Sequence, residues 1–303
     1  MKVKSVQDYA NFKNDLNAIY EWSDENKMAF NETKFVHMQC SHPRVEVESS
    51  YTCPGGDRII DRVNTKDLGI IMSQDCRFTE HIEEVVKKAS RQAAWVLRTF
   101  SSREPYLMLT LFKQLVLPIL EYCCQVWNPV ALGEVRKLES VQRNFTNKIY
   151  DMNTLCYWTR LQRLKLYSLE RRRERYLILY VFKIIKGIVP NLTESNLRLR
   201  WEHRGRRGLM CDIPLLNRGA MARYKTLKDN SLCVRGPRLY NCLPIHMRDE
   251  NISFVRFKRR LDEFLAEVPD KPSLPGTNYS QLARSNSIED QLEVLRRQGI
   301  YHL

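Results

Sequence analysis

The chain is poor in the residues and pairings from which self-contained active sites are built. No Asp-Asp or Asp-x-Asp occurs in its 303 residues. The side-by-side carboxylates that hold two divalent ions about 4 Å apart for nucleotidyl transfer are therefore missing, and Asp61, Asp67 and Asp75 fall singly in loops and strand ends. Only 11 glycines are present, and none form a P-loop, a GxSxG elbow or a dinucleotide-binding run. Long apolar stretches are lacking too. A bilayer-spanning helix needs about 20 of them in a row, whereas residues 107–127 carry Lys113, Gln114, Glu121 and Gln125, and the run 176–189 is broken by Lys183 and Lys186. The first residues show no apolar core of a secretory signal. The nine cysteines, an odd number without framework spacing, then read as reduced thiols of an intracellular protein, nuclear or cytoplasmic. Cys123 and Cys124 are neighbours on a greasy stretch, point about 100° apart on a helix and read as core. His37, Cys40, His42 and Cys53 fit no zinc-finger spacing, and a strand over 35–39 turns His37 and Cys40 to opposite sides, so no metal site is expected.

What the chain has in excess is positive charge. Its formal net charge is +14, and residues 135–265 hold 29 Lys and Arg against 12 Asp and Glu, a surplus of +17 in that segment alone. Charge so concentrated points to a polyanion, nucleic acid before an acidic membrane surface. At 43% hydrophobic and 28% charged residues the bulk is globular.

The periodicity predicts an α+β fold. A helix is expected over 5–30, with strands at 35–39, 58–63 and 67–72. From Phe78 onward the pattern is helical. One apolar stripe runs Ile82, Val85, Ala89, Ala93, Val96 and Phe100, and a second helix through Leu107 and Leu111 should kink at Pro118. Further helices are expected over 134–149, over 157–166, and from the cap Ser168 to Lys186. Residues 191–250 look irregular and weakly strand-like around CDIPLL and SLCVRGPRLY. An amphipathic helix with Phe254, Phe257, Leu261 and Phe264 follows, then a polar linker and a loosely attached tail helix.

The arginine run RLQRLKLYSLERRRERYLILY (160–180) is the strongest candidate for phosphate binding. Arg160, Arg163 and Lys165 precede a helix whose first two turns carry Arg171, Arg172, Arg173 and Arg175, and whose second half is nearly all apolar. That pattern predicts a cationic end protruding from a buried anchor, with Glu170 and Glu174 neutralising part of it. A salt-bridged exposed helix is the plainer alternative.

Several ordered stretches resemble the C-terminal half of the reverse transcriptases of non-LTR (LINE-type, jockey-like) retrotransposons. They are WSDENKMAFNETKF (22–35), KDLGIIMSQDCRFTEHIEEVVKKA (66–89), LVLPILEYCCQVWNP (115–129), LESVQRNFTNKI (138–149), YWTRLQRLKLYSLERRR (157–173), RGPRLYNCLPIHMR (235–248) and FKRRLDEFL (257–265). The resemblance implies that residues 1–75 are the end of a polymerase palm, 76–190 a helical thumb, 191–268 a basic C-terminal region and 269–303 a linker and tail. It implies that Lys34 approaches nucleotide phosphates or donates a proton to the leaving group. It also implies that Leu68 and Gly69 form a primer-grip hairpin, that Arg91 and Arg98 join the arginine run on a template–primer duplex, and that Tyr122, Cys123 and Trp127 pack an inner thumb helix. The family's polymerase uses Mg2+. The catalytic aspartates, the fingers and most of the palm have no counterpart here, so no cofactor and no polymerase activity are expected of the chain alone. The expected function is nucleic-acid binding through phosphate contacts, with no membrane partner. The alternative is a protein-interaction module whose partner covers an open palm edge.

Overall fold

The computed structural model describes residues 6–40, 51–53, 56–129, 131–190, 199–201, 209–211, 229–249, 251–271 and 286–300. The fold is α+β and mainly helical, with three two-stranded sheets among the described residues. The chain divides into two compact units, residues 1–81 and 82–303.

In the first unit, helix α1 (Val6–Glu25) is followed by a short 3-10 turn (Glu32–Lys34) and strand β1 (Val36–His37), which pairs in parallel with β2 (Ile60–Asp61). Aromatic rings bind these pieces: Tyr20 meets Phe30 and Phe35 edge-on at 5.4 and 5.9 Å, and Phe12 meets Tyr51 at 5.0 Å. The run DLGIIM is not one strand. It contains the turn of a hairpin between β3 (Asn64–Asp67) and β4 (Ile70–Ser73), because Leu68 and Gly69 both take left-handed φ, 45° and 84°. Two successive positive φ values make the primed turn whose twist matches a two-residue hairpin.

The second unit holds α2 (Thr79–Thr99) from Ile82 onward, and the stripe Ile82, Val85, Ala89, Ala93 and Val96 is buried as its spacing predicts. Helix α3 (Pro105–Leu111) starts on the cap Glu104, which accepts from the Leu107 amide at 2.8 Å. It leads through a widened π turn (Phe112–Val116) into α4 (Leu117–Glu121). The widening has a cause: Pro118 has no N–H for the Gln114 carbonyl, and the Leu117 amide bonds back to Phe112 instead. Leu117, Leu120, Cys124 and Trp127 are buried, and burial pushes the Cys124 thiol up to about 12. Tyr122, expected to pack, is 54% exposed.

Helices α5 (Leu132–Thr146), α6 (Tyr157–Arg163) and α7 (Leu169–Ile185) follow, then α8 (Leu232–Asn241), α9 (Phe254–Glu267) and α10 (Ile288–Arg297). A small antiparallel pair, β5 (Leu199–Trp201) and β6 (Leu209–Cys211), lies between α7 and α8 in sequence. Most of CDIPLL lies outside the described residues. SLCVRGPRLY, expected to be strand-like, is helical. Its Gly236 serves close packing rather than a turn: a Cβ there would lie 2.7 Å from Val181 Cγ2 of α7. Helix α7 is the hub. Phe182 stacks on Phe257 of α9 with ring centroids 3.9 Å apart, and Leu177, Ile178, Leu239, Leu261, Ile288 and Leu292 complete one core. The tail helix is thus seated rather than loose. The linker before it, 272–285, lies outside the described residues.

Candidate nucleic-acid interface

The helical hub decides the fate of the arginine run. A helix contacted by α5, α8 and α9 has little face left for solvent, and α7 carries its arginines into that interior. Arg171 is fully buried and donates to the carbonyls of Val268 (3.2 Å) and Pro269 (2.7 Å), closing the end of α9. Arg172 forks onto Glu121, whose second oxygen also accepts from Tyr176 at 3.0 Å. Arg175 forks onto Asp262, the outer bond being 2.9 Å. Arg173 is 2% exposed and its guanidinium has no hydrogen-bond partner among the described residues. Burial lowers its pKa, against the opposing pull of Glu139 and Glu170. Arg160, before the helix, is buried as well and donates to Asn147 Oδ1 (2.7 Å), Leu155 O (3.1 Å) and Arg143 O (3.2 Å). The expected protruding arm is therefore folded inward. Of the run's cations, only Arg163 and Lys165 are exposed.

Glu174 does not neutralise its own helix as expected. It is buried, pairs with Arg235 of α8 at 2.8 Å, and accepts from Ser287 Oγ and the Ile288 amide, both at 2.7 Å. A carboxylate from α7 so caps the first turn of α10, where the helix dipole favours negative charge. Glu170 is pushed up to about 7, first by burial and then by the Glu174 charge.

What faces water is a different set of cations. On α2, Lys87, Lys88, Arg91 and Arg98 are exposed, and neither Arg91 nor Arg98 pairs with an acid among the described residues. On α5 and the turn after it, Arg136, Lys137, Arg143 and Lys148 are exposed, while the acids of the helix, Glu134 and Glu139, are half-buried and buried. At 100° per residue Arg136, Ser140, Arg143 and Asn147 form one row, and Lys137, Asn144 and Lys148 the next. Lys137 Nζ reaches Glu83 Oε1 at 2.6 Å, tying α5 to the first turns of α2. Arg143 lies over the Tyr157 ring at 4.9 Å, and Arg160 braces α6 against the end of α5. Cationic side chains of α2, α5 and α6 therefore belong to one connected framework. The α5 set was missed in the sequence; the signal was present as four basic residues on the polar rows of an amphipathic helix.

In the first unit Lys34 is exposed in its 3-10 turn. Leu68 is 82% exposed at the hairpin tip beside Gly69. His37 Nδ1 lies 2.7 Å from Asp61 Oδ1, which holds the Asp61 carboxyl below its ordinary range. Among the described residues no three His, Cys, Asp or Glu side chains are grouped to hold a metal, and no helix is long and apolar enough to cross a membrane. His42 and the basic cluster Arg204, Arg206 and Arg207 lie outside the described residues.

Two comparisons bear on this arrangement. Part of the chain is similar to a retrotransposon polymerase. Over 96 residues, 31% of this chain, it is 25% identical to a probable RNA-directed DNA polymerase from the transposon X-element of Drosophila melanogaster. Over 132 residues, 43% of the chain, it is 26% identical to an uncharacterized protein of Caenorhabditis elegans. The aligned stretches span 10% of the first protein and 66% of the second. No family model matches the chain, and no solved structure matches it.

Proposed function

We propose that this is a reverse-transcriptase-derived protein that holds nucleic acid through phosphate contacts and does not polymerise by itself. The observation that carries the reading is the set of exposed cations with no acid partner among the described residues, on α2, α5, α6 and the turns that follow α5 and α6: Arg91, Arg98, Arg136, Arg143, Lys148, Arg163 and Lys165. The partial similarity to a transposon polymerase supports a polynucleotide over other polyanions. Lys34 and the Leu68–Gly69 tip are further contact positions in this reading, on the first unit. Arg160, Arg171, Arg172, Arg173 and Arg175 are assigned to structure instead, because phosphate oxygens have no access to guanidinium groups that are buried or forked onto internal carboxylates.

The test is the salt dependence of binding. Log K should fall linearly with log salt, by about 0.9 per phosphate neutralised on duplex DNA. Affinity that is flat between low and moderate salt overturns the proposal. Primer extension with magnesium and nucleotides should give no product, and incorporation that disappears in Lys34→Ala would overturn the inactive reading.

A protein-binding role is favoured by one observation only. Ile19 and Trp22, about 50% exposed, lie three residues apart on α1, with Met28 and Val63 exposed elsewhere in the same unit. Size-exclusion chromatography separates the two: a nuclease-resistant oligomer favours the protein-binding role, a monomer that binds nucleic acid the first.

A further inference from the structure

Three of the exposed aromatic rings of the second unit lie on segments that meet at one residue, Arg103. Trp95, in the last part of α2, is 45% exposed; Tyr106, second in α3, is 80% exposed; Tyr150, in the turn after α5, is 67% exposed. Arg103 ties together the segments that carry them. Its guanidinium donates to the carbonyls of Leu97, at 2.7 Å, and Phe100, fixing the loop to the end of α2. Its own carbonyl accepts from the Tyr150 amide at 2.9 Å, and Tyr106 follows three residues later. Trp95 rests edge-on against Phe100, with centroids 6.4 Å apart, and its accessible area is left to solvent. Exposed cations are interleaved with the rings: Arg91 and Arg98 flank Trp95 at helical spacing, and Lys148 lies two residues before Tyr150. The acids close by in sequence are Glu104, committed as the cap of α3, and Asp151.

We infer that this surface is a stacking platform for the unpaired bases of single-stranded nucleic acid; the inference rests on the phosphate-binding reading above. A duplex buries its base faces in its own stack and offers a protein mainly phosphates and groove edges. It has no use for three exposed rings. A single strand offers both phosphates and free π-faces, and a groove of cations and aromatic side chains is the arrangement that takes them without regard to sequence. Arg98 and Lys148 hold the strand's phosphates while Trp95, Tyr106 and Tyr150 take bases.

The experiment is fluorescence anisotropy of the full chain with a labelled oligothymidylate and with a blunt duplex carrying the same number of phosphates. The single strand should bind more tightly. Trp95→Ala and Tyr150→Ala should each weaken it between about fivefold and about a hundredfold while duplex binding moves less than about twofold. Trp95→Phe keeps a stacking face and should retain most of the affinity. Should Trp95→Ala fold poorly, Tyr106→Ser, at the most exposed of the three rings, carries the same comparison. Equal loss on both ligands, or no loss on either, overturns the platform and leaves phosphate binding standing. Binding to neither oligonucleotide overturns the phosphate reading itself. Preference for phosphatidylserine vesicles over both oligonucleotides would assign the patch to a lipid surface and overturn the inference.

Discussion

At the residue scale, burial and pairing separate arginines that look alike in sequence. Arg171 and Arg98 differ only in what surrounds them: three backbone carbonyls in a closed core for one, water for the other. Arg171→Ala should cost on the order of 3 kcal/mol of stability, the usual result of leaving buried polar partners unsatisfied. Arg98→Ala should leave the unfolding midpoint unchanged and weaken oligonucleotide binding. Thermal unfolding beside anisotropy reads both. Glu170 gives a pH prediction whose sign is fixed by its raised pKa. The folded state keeps a proton on it up to about pH 7, whereas the unfolded chain releases it near the ordinary glutamate value of 4.5. Stability is greatest below the lower value and is lost as pH rises through the upper one. The loss is at most about 3 kcal/mol, since each pKa unit is worth about 1.4 kcal/mol. Arg173 from the same helix, Arg235 from α8, and Glu139 and Glu174 surround it electrostatically. Unfolding midpoints measured from about pH 5 to about pH 8 should fall in the parent chain, and more weakly in Glu170→Gln.

At the scale of elements, α7 shows why a correct helix boundary is not yet a correct surface. Ser168 caps it, accepting from the Arg171 amide at 3.1 Å, at the residue where the sequence predicts the start. Its apolar second half announced a buried helix; only its neighbours showed that the first half is buried too. Gly236 makes the converse point. In sequence, SLCVRGPRLY reads as weakly strand-like, yet it is a helix whose glycine admits the backbone of α8 against Val181. Gly236→Ala should destabilise by about 1–3 kcal/mol through overpacking, seen as a lower denaturant midpoint with unchanged slope. The tail helix α10 is tied by the same logic. Ile288 and Leu292 are fully buried, and Asn286 donates to Ser168 Oγ at 2.9 Å. Ile288→Asp places a charge in that core beside the buried Glu174. It should lower the unfolding free energy by at least about 3 kcal/mol and open the segment around residue 286 to proteolysis.

At the scale of the whole molecule, a net charge of +14 is not a uniform field. Part of it is spent inside, where Arg171, Arg172, Arg173, Arg175 and Arg235 meet Glu121, Glu139, Glu174, Asp262 and backbone carbonyls. Among the described residues, exposed cations stand on α2, on α5 and α6 with the turns that follow them, and on α9 at Arg256, Lys258 and Arg259. Binding should therefore be salt-sensitive yet insensitive to loss of the densest arginine cluster in the chain. The double variant Arg91→Ala/Arg98→Ala should lower the salt slope by about 2. A variant at Arg172 should change stability and leave the slope alone.

The amino-acid order alone determined the helices with a single apolar stripe, the cap at Ser168, the disturbance before Pro118 and the surplus of basic charge. Each follows from spacing or from the chemistry of one or two adjacent residues. Only the tertiary structure decided which cations reach water, that SLCVRGPRLY is a helix, and that the tail is seated. The physical reason is distance along the chain: Arg172 meets a carboxylate 51 residues away and Arg175 one 87 residues away. Burial of a charge depends on partners that no local pattern names.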